Sequence, residues 1–197
     1  VASTTEVGTI AAPSTTTPPA FAAGQWAKYS VTRGETSSTL EYKVLSKEGD
    51  AFWFEVVNDH GGKSTVIQFL LAAADRTEPE SYDLRAAKIG LPNGKVQVLR
   101  GAQLKMTRKM LDGFLARLRV PEFGKGPQED AVVPAGKFRQ CYVHEVSGTY
   151  FGMKTDSKVW NHPVVPISTL VRSIDRADGA VVVLEGYGME GARSSMD

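Results

Sequence analysis

Most of this chain alternates apolar and polar residues with period two, and one stretch of helical period interrupts the pattern. Period two sends alternate side chains to opposite faces of a strand, so it commits the chain to sheets with a buried face. In Gln25–Arg33 the residues Ala27, Tyr29 and Val31 share a face. In Thr39–Ser46 the set is Leu40, Tyr42 and Val44. In Ala51–Asn58 it is Phe52, Phe54 and Val56, and in Lys63–Leu71 it is Thr65, Ile67 and Phe69. The turns between the later runs, Lys47–Asp50 and Asp59–Gly62, are short and built of turn-forming residues, so these runs read as an antiparallel meander. After a polar loop at 75–82, Leu84–Leu91 and Lys95–Arg100 flank Pro92-Asn93-Gly94, and Asn-Gly between apolar runs predicts a hairpin.

The period then changes. Over 102–119, Leu104, Thr107, Leu111, Phe114, Leu115 and Leu118 recur at helical spacing, while Lys105, Arg108, Lys109, Arg117 and Arg119 lie away from that stripe. Pro121 ends the segment, and Gly113 weakens its interior by up to about 1 kcal/mol. Pro121–Asp130 reads as a loop. A second β series follows at Phe138–Val146, Met153–Trp160, Val165–Asp175 and Ala180–Tyr187. Strands do not alternate with helices, so a parallel βαβ sheet is excluded in favour of a mainly β, antiparallel domain.

The domain is expected at 25–192. Residues 1–24 form a Thr/Pro-rich extended tail; the first 20 hold six threonines, three prolines and one charge. The tail has no cationic and apolar leader pattern, and it reads as the start of a processed, exported chain, like the spacer of a bacterial lipoprotein. The polar end, Met189–Asp197, is expected to fray, with 193–197 outside the domain. A net charge of +1 gives no basic field for nucleic acid. No apolar run approaches the roughly 18 residues of a transmembrane helix.

The second β series carries a resemblance. Val132-Val133-Pro134-Ala135-Gly136-Lys137-Phe138 is similar to the "vPAGtF" hairpin opening of a group of secreted bacterial proteins. The following Trp strand, Val-Pro, penultimate strand and closing glycines have counterparts in Val159-Trp160, Val165-Pro166, Leu170–Ser173 and Leu184–Gly188. The glycine usual before the penultimate strand is replaced by Ser168 and Thr169. The element order also resembles the lipoprotein-localisation fold. That resemblance implies a strongly curved antiparallel sheet, an unclosed barrel, with the helix packed on its concave side over an apolar cavity.

Under this resemblance Tyr29, Tyr42, Phe52, Phe54, Phe69, Leu111, Phe114 and Leu115 are the candidate ligand-binding residues. Against it stands the plainer reading that they fill a core. Lys105, Arg108, Lys109, Arg117 and Arg119 are the candidate surface for an anionic membrane or a partner, or else a solvated helix face.

No catalytic residues are assigned. Cys141 lies mid-strand with His144 on the other face, which suits a buried core thiol better than a nucleophile. His60, His144 and His162 have no metal-ligand spacing, so neither metal nor cofactor is expected. GxSxG is missing, and Gly61-Gly62-Lys63-Ser64 lacks the upstream glycine of a phosphate loop. Glu78 and Glu80 lie in a loop and suit solvation better than glycosidase chemistry.

The expectation is therefore a non-enzymatic periplasmic or cell-surface protein, membrane-tethered, that binds an apolar ligand or lipid. The alternative is an accessory subunit of an envelope or extracellular assembly, with the tail as an arm on a neighbour.

Overall fold

The computed structural model of the 197-residue chain describes residues 8–73, 76–77, 81–90, 95–99, 101, 103–104, 118–150 and 153–196. Its strands are β1 (Thr9–Ile10), β2 (Trp26–Arg33), β3 (Thr36–Glu48), β4 (Ala51–His60), β5 (Lys63–Ala73) and β6 (Tyr82–Gly90), then β7 (Val96–Leu99), β8 (Gln128–Val133), β9 (Gly136–Tyr150), β10 (Met153–Asn161), β11 (Leu170–Asp175) and β12 (Val181–Gly188). They form one sheet in the order β1-β9-β10-β11-β12-β2-β3-β4-β5-β6-β7, with β8 added beside β9. Every pairing is antiparallel except β1 with β9. The two meanders read from the sequence are thus two halves of one sheet, joined where β12 pairs with β2. The sheet is not closed: among the described residues β7 and β9 do not meet.

The first meander follows its alternation. Ala27, Tyr29, Tyr42, Val44, Phe54, Phe69 and Leu71 all enter the principal core. The β6–β7 pairing agrees with an intervening hairpin, though Pro92–Gly94 lies outside the described residues. So does most of the helical stretch. Only Gln103 and Leu104 are helical in the described part, and a helix packed on the sheet is not observed there. At the ends of that stretch, Leu104 and Leu118 are both buried in the principal core.

The second half departs from simple alternation. Gln140 has φ 54° and donates its backbone N–H to Asp130 Oδ1, at a register shift between β8 and β9. A bulge of this kind moves one residue across the pleat and kinks the strand. Phe138 and Cys141 therefore reach the same core, although period two places them on opposite faces. The kink also redirects the start of β9. Phe138 lies 6.0 Å from Tyr187 on β12, and Ala135 N–H bonds to Leu184 O. Three strand spacings would separate β9 from β12 by about 14 Å in a flat sheet, so this end of the sheet folds back on itself. The expected strand at Val165–Asp175 begins only at Leu170, because 162–169 is a buried turn. β8 takes up Gln128–Asp130 from what reads as a loop.

Among the described residues both terminal segments lie against the sheet. Gly8–Gly24 lies along its own domain: Lys137 N–H bonds to Gly8 O, and His162 Nε2 to Ala11 O. Arg76 holds Pro19 O, and Phe21 packs at 4.9 Å from Phe54. The C-terminus does not fray through Met196. It crosses the opposite face of the sheet, where Ala192 N–H bonds to Gly24 O and Ser195 N–H lies 3.0 Å from both oxygens of Glu55.

Candidate functional site

The inner face of β2–β5 is where the candidate ligand residues come together. Tyr29, Tyr42, Phe54 and Phe69 are almost fully buried, and Phe52 is half-buried beside them. Phe54 stacks on Phe69 at 5.5 Å, and Tyr29 meets Tyr42 edge-on at 5.7 Å. Leu111, Phe114 and Leu115 lie outside the described residues, as do Lys105, Arg108, Lys109 and Arg117; Arg119 is exposed. The face is covered by chain segments outside the strands. Phe21 of the N-terminal segment sits on Phe54 and Phe52, and Leu104 and Leu118 complete the cluster. Tyr82 donates its phenol hydrogen toward Arg76 O (3.1 Å) and Leu118 O (3.3 Å), which ties the cover to the β5–β6 loop.

Arg76 was not singled out by the sequence, and it joins three parts of this site. Its guanidinium donates to Pro19 O at 2.6 Å and Ile167 O at 2.5 Å, and lies 4.2 Å from the centroid of Phe21. A lone arginine in a polar loop carries no sequence signal for such a role.

Two glycine positions of the second β series have steric reasons. Gly136 has φ 147°, and a Cβ there would collide with Ile10 Cδ1 and stand 3.0 Å from Gly8 O. The glycine of the Pro-Ala-Gly turn thus lets the N-terminal segment pair with β9. Trp26 lies across the closing glycines, and a Cβ on Gly188 would stand 2.5 Å from its Nε1. Before β11 the backbone takes a glycine-like conformation at two non-glycine positions: Ile167 and Thr169 have φ of 67° and 57°. β-branched residues are strained there and persist only where surrounding contacts hold them. Ile167 is fully buried, and Thr169 Oγ1 bonds to Ser168 O and to Asn161 Nδ2.

That turn holds a buried polar network whose groups satisfy one another. Leu170 N–H donates to Ser168 Oγ, Ser168 Oγ lies 2.7 Å from Tyr29 Oη, and Tyr29 donates to Leu170 O. Burial drives the Tyr29 phenol pKa far up, against the lowering by Ser168, so it stays protonated. His162 uses Nδ1 to accept from Val164 N–H and Nε2 to reach Ala11 O. Burial lowers its pKa, the Ala11 contact only partly opposing this, and keeps the ring neutral. Both nitrogens are engaged with backbone, so this ring holds the tail and turn in place. Cys141 is buried, and desolvation pushes its thiol up to about 12, where a thiolate nucleophile is not formed near neutrality.

The opposite face carries a second polar row. Lys43, Glu55 and Gln68 are register neighbours on β3, β4 and β5. Glu55 accepts from Lys43 Nζ (3.1 Å), Gln68 Nε2 (2.9 Å) and Ser195 N–H. Beside it an open groove of about 380 Å³ runs between Trp26, Lys28, Glu41 and Arg193. Among the described residues no group of acidic, His or Cys side chains is arranged to hold a metal, and no helix is long and apolar enough to cross a membrane. Comparison with protein-family models, curated proteins and solved structures finds no match.

Proposed function

We propose that this protein is a non-enzymatic periplasmic or cell-surface domain that binds an apolar ligand or lipid against the inner face of its open sheet. The observation that carries the reading is the kind of cover on that face. The aromatic surface on β2–β5 is met by Phe21, and Leu104 and Leu118 join the same core; all three belong to irregular or inter-strand segments and not to a second sheet. Such segments open at lower free energy than paired strands do, so the cover can yield its place to a ligand. The curved, unclosed barrel of the lipoprotein-localisation fold, with a helix over its apolar face, is the architecture this reading draws on. The amphipathic stretch at 102–119, expected from its period to be helical, belongs to the reading as part of the cover. The tether belongs to it on the composition of the tail alone, since Gly8–Gly24 is taken up as cover and supplies no spacer. The same arrangement favours a binding role over an assembly subunit, whose arm would lie on a neighbour.

The test is native mass spectrometry and solvent extraction of the purified chain. A co-purifying apolar molecule in near-stoichiometric amount, whose removal raises amide exchange in Gly8–Gly24, is the expected result. A chain that carries no such molecule, and takes none up from vesicles, overturns the proposal.

A further inference from the structure

We infer that Arg76 is the headgroup site of an anionic single-chain amphiphile, and that Pro19–Phe21 occupies that ligand's place in the closed protein. The inference rests on the binding role proposed above and names its ligand class. Arg76 is compensated differently from the buried Lys43. Lys43, on the opposite face, lies between Glu55 at 3.1 Å and Glu41 at 3.4 Å. Arg76 has no carboxylate within 4.0 Å among the described residues. Its partners are two main-chain carbonyls and the face of Phe21, and its Nε is buried with no hydrogen-bond partner. Burial lowers its pKa to about 10, so it remains a cation at neutral pH. A desolvated charge is compensated only in part by neutral carbonyls and a ring. A carboxylate or phosphate would complete it, and the guanidinium fork fits either with two parallel bonds.

The second observation is what sits beside the guanidinium. Phe21 lies on Phe54 at 4.9 Å and Phe52 at 6.3 Å, at the entrance to the buried Phe54–Phe69 stack. The Pro19 carbonyl and the Phe21 ring thus offer, from one short stretch of chain, an acceptor on the cation and an apolar group on the aromatic face. Those are the two ends of an anionic amphiphile. The occupant is half-buried and irregular, held by Arg76 and ring contacts and, next to them, by the buried Gln25 side chain, which donates to Ala20 O and accepts from Ala22 N–H.

The experiment uses calorimetric titration of the full chain with dodecanoate, dodecyl phosphate, dodecanol and dodecyltrimethylammonium, all below micelle-forming concentration. The two anions are expected to bind at least about tenfold tighter than the other two, the scale of one charge-assisted bond pair. Arg76→Gln should abolish that preference and Arg76→Lys should keep part of it. Phe21→Ala should tighten dodecanoate binding several-fold by loosening the cover, and it leaves Arg76 intact if Arg76→Gln fails to fold. Acetate and inorganic phosphate should not compete. Equal binding of dodecanoate and dodecanol overturns this inference and leaves the apolar-ligand reading standing. Full competition by free phosphate overturns it in favour of a simple anion site. Binding of none of the four probes removes both.

Discussion

Replacing Glu55 by Gln isolates the role of one buried charge and of the C-terminal segment together. The Glu55 side chain is fully buried and accepts from Lys43, Gln68 and the Ser195 N–H. Gln keeps the volume, turns one acceptor into a donor that faces Lys43 or Ser195, and leaves the Lys43 ammonium less compensated. Breaking a buried ion pair from one side costs about 3–5 kcal/mol. Lys43 retains Glu41 at 3.4 Å, a partner whose side chain is 29% exposed, which places this change near the low end. Urea unfolding should therefore show a loss of about 3 kcal/mol, and hydrogen exchange should show the Ser195 amide losing protection first. Lys43→Met with Glu55→Leu should lie closer to the parent than Glu55→Gln does, because no fully buried charge is then left uncompensated and Glu41, which loses Lys43, is part exposed to water. The pH dependence follows. Burial alone would raise the Glu55 pKa, but the bonds from Gln68, Ser195 and Lys43 outweigh it and hold the carboxyl below its ordinary value. The unfolded state then binds the proton more readily, so this stabilisation is complete above the unfolded pKa and is lost as pH falls through the folded one. Glu55→Gln should flatten that part of the acid limb. A variant within about 0.5 kcal/mol of the parent, with an unchanged Ser195 amide, would refute the reasoning.

Gly136→Ala should cost about 1–3 kcal/mol and deprotect the Lys137 amide, since its Cβ meets Ile10 and Gly8 O; an unchanged amide would separate the turn from the tail. Tyr29→Phe leaves Ser168 Oγ and Leu170 O each short of a partner and should lose about 1–3 kcal/mol in thermal or urea unfolding. Because the Tyr29 pKa is raised chiefly by burial, one tyrosine should resist alkaline titration, followed by absorbance, until the chain unfolds. Cys141, with its thiol pushed up to about 12 and its side chain buried, should ignore a disulfide reagent at pH 8 and react on addition of denaturant; rapid labelling of the native chain would contradict its placement.

Period two and the short turns were enough to read a mainly antiparallel β domain and the inward set Ala27, Tyr29, Tyr42, Phe54 and Phe69, because strand alternation is a local property of the backbone. The same logic failed at Phe138 and Cys141, where a bulge at Gln140, recognised by Asp130 ten residues away, shifts the parity. It failed also at 165–169, where an apolar run is held as a strained turn by Tyr29, Asn161 and Arg76. The termini were read from composition as a tail and a frayed end. Their order depends on Gly136, His162 and Arg76 at one end and on Glu55 at the other, all distant in sequence. Alternation thus determined which residues face inward along a strand. Only the tertiary structure decided what covers that face, since the partners that hold the cover are single polar groups brought together by the sheet and carry no period of their own.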